Sequence, residues 1–263
     1  SLTVNLHLLM VTFYQPNNKK KKILIENNAF PSDLYAVKSQ LKFHNNDPVN
    51  DLIILEKEND NLLSTEKIIR TINENKDQIA MILLGGVNYL TGQLLDLKKI
   101  TAAAKENGCI IGLDLAHAAG NVELKLHNWG VDFAAWCGYK YLNGGPGAPS
   151  GIFINSIYHQ NSDLKRFEGW WGHDKLSRFE HQSYFKPLPS AEAWQLSNPP
   201  IFSMAALLSS LNIFISVGMK NLFFKSDQLT TYLEYLLIDS LSDQITIISP
   251  KKNSDRGCQL SIK

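Results

Sequence analysis

Cysteine is scarce in this chain. Cys109, Cys137 and Cys258 are the only three in 263 residues, and no two stand at C-x-x-C spacing. That excludes a disulfide scaffold and a thiolate metal cluster, and an odd, sparse count argues for a reducing, cytoplasmic setting. Cys109 and Cys137 lie inside apolar runs, where a thiol packs as a small hydrophobe. No stretch reaches the roughly 18 apolar residues that span a bilayer, and no signal-peptide pattern is visible. Charge of one sign is lacking too. Twenty-six Lys and Arg face 25 Asp and Glu, for a net charge of +1, so nothing points to nucleic acid or an anionic membrane. The single basic run, residues 19–22, reads as a solvated turn. Internal repeats and low-complexity tracts are absent.

What is present suits a globular fold. Hydrophobic residues make up 44% of the chain, enough for one domain, or one large domain and part of a second. Short apolar runs at residues 23–26, 51–55, 79–84, 109–113, 131–136 and 151–154 read as strands. Helical patterns fall between them, at 3–13, from Pro31, at 65–75 and at 95–107. Pro31-Ser32-Asp33 opens a helix with Pro in the first turn and Ser or Asp able to cap. Ser64 caps the next helix, and Gly108 closes the 95–107 helix. Strands that are apolar throughout imply a mostly parallel α/β sheet covered on both faces. After Pro199-Pro200, helices at 201–217 and 221–238 lead to a strand at 245–248. The expected division is a large domain at 1–238 and the start of a small C-terminal domain at 239–263. Both ends run through elements, which gives the expectation of a fragment of a longer protein.

In open α/β sheets, ligands bind beyond the carboxyl ends of the strands. Two segments stand there, each after an apolar run. Asp114-Leu115-Ala116-His117 places a carboxylate at a buried strand end, where it needs a partner. A protonated pyridine nitrogen is one such partner; capping the turn at 116–119 is the plainer alternative. Tyr139-Lys140-Tyr141 places a lysine after the following strand. A lysine there either snorkels to water or is desolvated, and a desolvated amine is the neutral nucleophile. An acid and a lysine in this arrangement are what pyridoxal 5'-phosphate (PLP) chemistry requires: the acid holds the pyridine nitrogen protonated and the lysine forms the Schiff base. The glycines in Asn143-Gly144-Gly145-Pro146-Gly147 let backbone pass close to a ligand or a neighbouring subunit.

Other positions are open to two readings. Thr3 starts a helix, where exposed N–H groups and a hydroxyl suit phosphate or simply cap. Phe30 covers a ring face or packs in the core. His117 shares a helical-turn face with Asp114, as a ring neighbour or a satisfied buried histidine. No metal site is expected, since no second His or Cys has suitable local spacing. Trp170 and Trp171, in Gly169-Trp170-Trp171-Gly172-His173, present an aromatic across an interface or fold on themselves. Ser197-Asn198-Pro199-Pro200 is a rigid turn offering the Asn198 amide.

Together these segments resemble the kynureninase family, of the aspartate-aminotransferase fold type (PLP fold type I). The resemblance runs through the helix start at residues 1–10, Phe30-Pro31-Ser32-Asp33, Asp114-Leu115-Ala116-His117 and Asn121-Val122-Glu123-Leu124. It continues through Trp129-Gly130-Val131-Asp132-Phe133-Ala134, Tyr139-Lys140-Tyr141-Leu142-Asn143, the Gly169 and Ser197 segments, and Arg256-Gly257-Cys258-Gln259-Leu260. Their order covers nearly the whole chain and separates this family from desulfurases and aminotransferases of similar fold. The resemblance implies that Lys140 carries the cofactor and Asp114 pairs with its pyridine nitrogen, with Asp33 and His117 close to the ring. Phe30 stacks on that ring. Leu2, Thr3 and Tyr139 contact the phosphate. Trp170 and Asn198 complete the site, exchanged between the subunits of a homodimer. Gly85 stands where many family members have a serine near the phosphate.

The implied reaction, in tryptophan catabolism and NAD biosynthesis, is hydrolysis of L-kynurenine or 3-hydroxy-L-kynurenine to alanine and the matching anthranilate. Lys140 then removes the α-proton, water adds to the side-chain ketone, the Cβ–Cγ bond breaks and Tyr139 is the proton donor. The family's arginine for the substrate carboxylate is expected beyond Lys263, so the fragment itself is expected to be inactive or nearly so. Two alternatives stay open. One is a fold-type-I desulfurase or β-lyase, although Cys137 is too embedded for a mobile catalytic thiol. The other is a PLP-binding chain without catalysis.

Overall fold

The computed structural model describes residues 1–58 and 61–263. Six strands form its centre: β1 (Lys22–Glu26), β2 (Leu52–Leu55), β3 (Ile79–Gly85), β4 (Ile110–Asp114), β5 (Phe133–Trp136) and β6 (Gly151–Ile154). They stand in the order β2-β1-β3-β4-β5-β6. All neighbours run parallel except β5 and β6.

The strands read as apolar throughout because both faces are covered. Successive side chains of a strand point to opposite faces. Ile23, Ile25, Met81, Leu83 and Phe133 pack with Leu6, Leu9, Val37 and Leu41 of α1 (Leu2–Phe13) and α2 (Pro31–Phe43). Leu24, Ile82, Leu84, Ile111 and Leu113 pack on the other side with Ile68, Ile72, Ile100 and Ala104 of α3 (Thr65–Glu74) and α4 (Leu97–Glu106). Behind β5, the fully buried Asp132 is held by Lys105 Nζ, the Ile111 N–H and the Tyr158 hydroxyl. It is structural.

Local expectations are met with shifts of a residue or two. Ser64 caps α3 by accepting the Lys67 N–H, and Gly108 takes φ +61° after α4. At α2, neither Ser32 nor Asp33 caps. Phe30 holds the cap position with no side-chain bond, and both polar side chains turn to the cavity described below. The basic run at 19–22 is not a free turn. Lys20 bonds the Asn107 and Gly108 carbonyls, Lys21 pairs with buried Asp51, and Lys22 begins β1.

After the four-residue α5 (Leu126–Trp129), helices α6 (Ile201–Val217) and α7 (Met219–Leu241) follow. The strand expected at 245–248 is only an isolated antiparallel bridge, Ile247 to Ile262. Three backbone bonds frame it, Thr246 N–H to Lys263, Lys263 N–H to Thr246 and Ile248 N–H to Ser261. Among the described residues no single helix is long and apolar enough to cross a membrane.

Candidate active site

A cavity of about 800 Å³ lies beyond the carboxyl ends of the strands. Parallel pairing puts those ends side by side. Gly85 is in register with Asp114, and Asp114 with Ala135. Glu26 ends β1, and the chain leaving β5 supplies Cys137, Tyr139 and Lys140. The first turns of α1 and α2 close the cavity with Ser1, Leu2, Thr3, Phe30, Ser32 and Asp33. Gly85, Asp114 and His117 line it as well. Nine of the eleven residues singled out for the cofactor therefore converge on one space.

The lining is mixed in character. It includes the α1 N-terminus, where no side chain caps the helix and the first N–H groups lack helical acceptors. Beside it the Thr3 and Ser32 hydroxyls bond each other at 2.7 Å. That part of the lining suits an anion. The lining also holds three buried carboxyl groups, Glu26, Asp33 and Asp114. Asp114 accepts the Ala116 N–H at 2.7 Å, so it both caps the following turn and faces the cavity; the two readings of this residue are compatible. Asp33 is pushed up to about 9, first by burial and then by the Asp114 charge. Its Oδ1 is buried without a partner. Lys140 Nζ sits 5.7 Å from the Phe30 ring centroid, and Tyr89 meets Phe30 edge-on at 5.4 Å.

His117 is lowered by burial and by Lys140, which favours a neutral imidazole. Its Nδ1 is also buried without a partner, and its ring meets Tyr141 edge-on at 5.7 Å. Tyr139 is raised, first through its hydrogen bond with Cys137.

Trp170 and Asn198 do not join this cavity within one chain. The Trp170 indole donates to the Arg178 carbonyl at 3.0 Å. Its ring lines a separate cleft with His173 and Arg178, and the Arg178 guanidinium lies 4.5 Å from the Trp171 centroid. The loop thus folds on its own aromatics. Near Asn198, only Pro200 reaches the lining.

Glu26 was not anticipated. Its Oε1 accepts the Gly85 N–H and its Oε2 the Asn88 amide, each at 2.8 Å. Burial pushes its carboxyl up. The signal was available, because Glu26 ends an apolar strand run as Asp114 does. The arrangement also explains Gly85. A Cβ there meets Glu26 Oε1 at 2.7 Å, and moving that carboxyl aside would disturb its bonds to the Gly85 N–H and the Asn88 amide. Gly85→Ser is therefore expected to cost about 1–3 kcal/mol as an overpacked site, read as a lowered thermal midpoint. An unchanged midpoint would show that Glu26 swings aside freely.

The comparisons agree with this geometry. The aminotransferase class-V family matches residues 3–263, and the chain belongs to that family. It is 52% identical over 264 residues to a kynureninase of Koribacter versatilis and 50% over 266 to one of Christiangramia forsetii. It is 47% identical over 275 residues to one of Nematostella vectensis. All of this chain is aligned in each case, and it spans 62%, 63% and 59% of those relatives. Among solved structures, the apo cysteine desulfurase of Thermococcus onnurineus NA1 matches with a TM-score of 0.75 at 16% identity, covering 100% of this chain and 61% of that one. The alanine–glyoxylate aminotransferase of a Nostoc species matches at 0.69 and 16%, covering 100% and 64%. These two likenesses concern the fold, which is that of the PLP fold-type-I enzymes.

The family's cofactor is pyridoxal 5'-phosphate, and the cavity fits it. A group carrying both an anion and a cationic ring nitrogen finds a partner for each among the lining residues, in the uncapped helix start and the carboxyl cluster. The unpartnered Asp33 Oδ1 and His117 Nδ1 are the unsatisfied polar atoms that such a ligand would meet. Lys140 is the one lysine among the described lining residues.

Proposed function

We propose that this chain forms the cofactor-holding part of a kynureninase, which hydrolyses L-kynurenine or 3-hydroxy-L-kynurenine to alanine and the corresponding anthranilate. The observation carrying this reading is identity near 50% along the whole chain to kynureninases, joined to the polarity of the cavity. Leu2, Thr3 and Ser32 would hold the phosphate, with Tyr139 beside them. Asp114 and Asp33 would face the pyridine nitrogen, Phe30 the ring face, and Lys140 the aldehyde. When bound, PLP supplies an electron sink for charge developing at the substrate α-carbon.

The chain's own side chains do the rest. The Lys140 amine would accept the α-proton, and the carboxyl cluster would hold positive charge on the bound group. Phe30 and Tyr89 shield one face from water. The Tyr139 hydroxyl would donate a proton to Cβ, the side-chain carbon that stays with alanine and takes the bonding pair as the Cβ–Cγ bond breaks.

A homodimer fits the surface. α6 buries none of its residues, and Ile201, Phe202, Ile213 and Ile215 are each more than 60% exposed. A face of that kind marks an interaction site. In the same reading, the apolar face is covered by a second copy, and Trp170 and Asn198 serve the neighbouring site. The balanced charge and sparse thiols support a cytoplasmic setting.

The test is anthranilate fluorescence from L-kynurenine, using this sequence in its complete reading frame, beside cysteine and alanine–glyoxylate assays, with sedimentation velocity on the same sample. Release of sulfide or transamination in place of anthranilate overturns the assignment. A monomer at micromolar concentration overturns the exchange of Trp170 and Asn198.

A further inference from the structure

Glu26 lines the cavity, yet each of its oxygens is already engaged within the chain. It ends β1 and is 5% exposed. The turn that follows β3 lies against it. Within that turn, Asn88 Oδ1 accepts the Leu90 and Thr91 N–H groups, each at 3.0 Å. Backbone N–H groups only donate, so the Asn88 amide oxygen must face them, and its nitrogen must face Glu26 Oε2. Glu26 Oε1 receives the Gly85 N–H, which also only donates. Both partners of Glu26 are therefore donors of fixed sense. A carboxylate offers an acceptor to each of them. A glutamine of the same shape offers an acceptor to one and a second donor to the other.

This turn carries Tyr89 to the cavity wall. Tyr89 lines the cavity directly after Asn88 and meets Phe30 edge-on at 5.4 Å. Phe30 in turn lies 5.7 Å from Lys140 Nζ. Two backbone bonds, Asn88 N–H to Gln93 and Gly92 N–H to Asn88, hold the shape of the turn. The C-terminal segment holds it as well, since the Gln259 amide donates to the Tyr89 carbonyl at 2.9 Å. The bond from Asn88 to Glu26 ties that shape to β1.

We infer that Glu26 is a positioning residue: it anchors the Asn88 turn to the end of β1, and so places Tyr89 against Phe30 in the wall beside Lys140. An acid is required there because both groups facing it donate. Glycine at position 85 leaves the space its carboxyl occupies. The inference rests on PLP as the cofactor of the cavity and stands whether or not kynurenine is the substrate.

The experiment uses the complete reading frame labelled with 4-fluorophenylalanine. The Phe30 signal is followed by ¹⁹F NMR, assigned by its loss in Phe30→Leu, and the PLP dissociation constant is measured by absorbance. Glu26→Gln is expected to shift the Phe30 signal of the cofactor-free protein and to weaken PLP binding on the order of tenfold, the scale of one mismatched buried hydrogen bond. Glu26→Gln combined with Asn88→Asp exchanges donor and acceptor at unchanged net charge and should return both readouts toward wild type. Tyr89→Ala removes the ring and keeps the backbone carbonyl for Gln259. In that background Glu26→Gln should cost no further affinity. An unmoved Phe30 signal in folded Glu26→Gln protein refutes the inference, as does an exchange variant no better than Glu26→Gln. A full, additive loss in the Tyr89→Ala background refutes it too, because Glu26 would then act through its charge or through the fold alone. If Glu26→Gln does not fold, Asn88→Ala removes the same tie from the turn side, and the same signal and cycle decide.

Discussion

Lys140→Ala is expected to abolish covalent capture of pyridoxal phosphate. Wild-type chain treated with the cofactor and borohydride should gain the mass of one reduced adduct, on the peptide containing Lys140. The variant should show background labelling only and no visible absorbance band. The expectation follows from what the cavity contains. Lys140 is the one lysine among its described lining residues. Its Nζ stands near the Phe30 face and within electrostatic reach of Asp33 and His117. No other lysine among the described residues lines the cavity to substitute for it. Lys140→Arg keeps the positive charge, but its delocalised guanidinium is not a usable nucleophile. It should therefore restore binding through charge without restoring the adduct. Adduct found on another lysine of Lys140→Ala would show that proximity to the carboxyl cluster does not decide the attachment point.

The parts of this site that were legible in the sequence share one property. Asp114 and Lys140 each follow a run of apolar residues, so a charged side chain had to sit at a strand end. Parallel pairing then brings strand ends together, which is why two segments 26 positions apart share one cavity. Phe30 and Thr3 were legible for a related reason, since helix starts face the same rim. Glu26 carries the same signature as Asp114. It was passed over because no motif surrounds it, and its partners, the Gly85 N–H and Asn88, lie about 60 residues away.

The tie from Gln259 to the Tyr89 loop was illegible on physical grounds. Its partner is a backbone carbonyl 170 positions away. Local pattern carries no such information. Trp170 and Asn198 show a different limit. Bulky aromatics between glycines signal an unusual loop, but a single chain satisfies them internally through Arg178. Whether they also serve a neighbour depends on contacts between chains, which spacing within one chain does not encode. The α6 face was read correctly as helical and apolar. Its exposure is a property of the packing, in which none of its residues is buried.

Asp33→Asn is expected to make the cofactor-free chain more stable at pH 8 and nearly neutral in effect at pH 4. The folded chain holds Asp33 at about 9, against the usual value near 4 of an unfolded aspartate. The sign follows from proton counting. Below about pH 4 both states carry the proton, and the group's preference for the folded state is fully present. From there to about pH 9 the folded state keeps a proton that the unfolded state has released, so stability falls as pH rises. Above that window both states are ionised and the slope vanishes. Asparagine cannot titrate and removes the slope, while remaining able to donate to Asp114. A gain on the order of 1–3 kcal/mol at pH 8 is expected, far below the full linkage value, because neighbouring carboxyls readjust as Asp33 ionises.

Adding PLP should reverse the ranking. A pyridinium placed against Asp33 and Asp114 supplies the positive charge that lets both ionise. The wild-type chain then gains more from the cofactor than Asp33→Asn does. Thermal midpoints at pH 4, 6 and 8, with and without PLP, test both halves. Parallel pH curves for the two proteins would mean that Asp33 is ionised in the empty site. An equal PLP-induced shift in both would mean that Asp33 does not face the ring nitrogen at all.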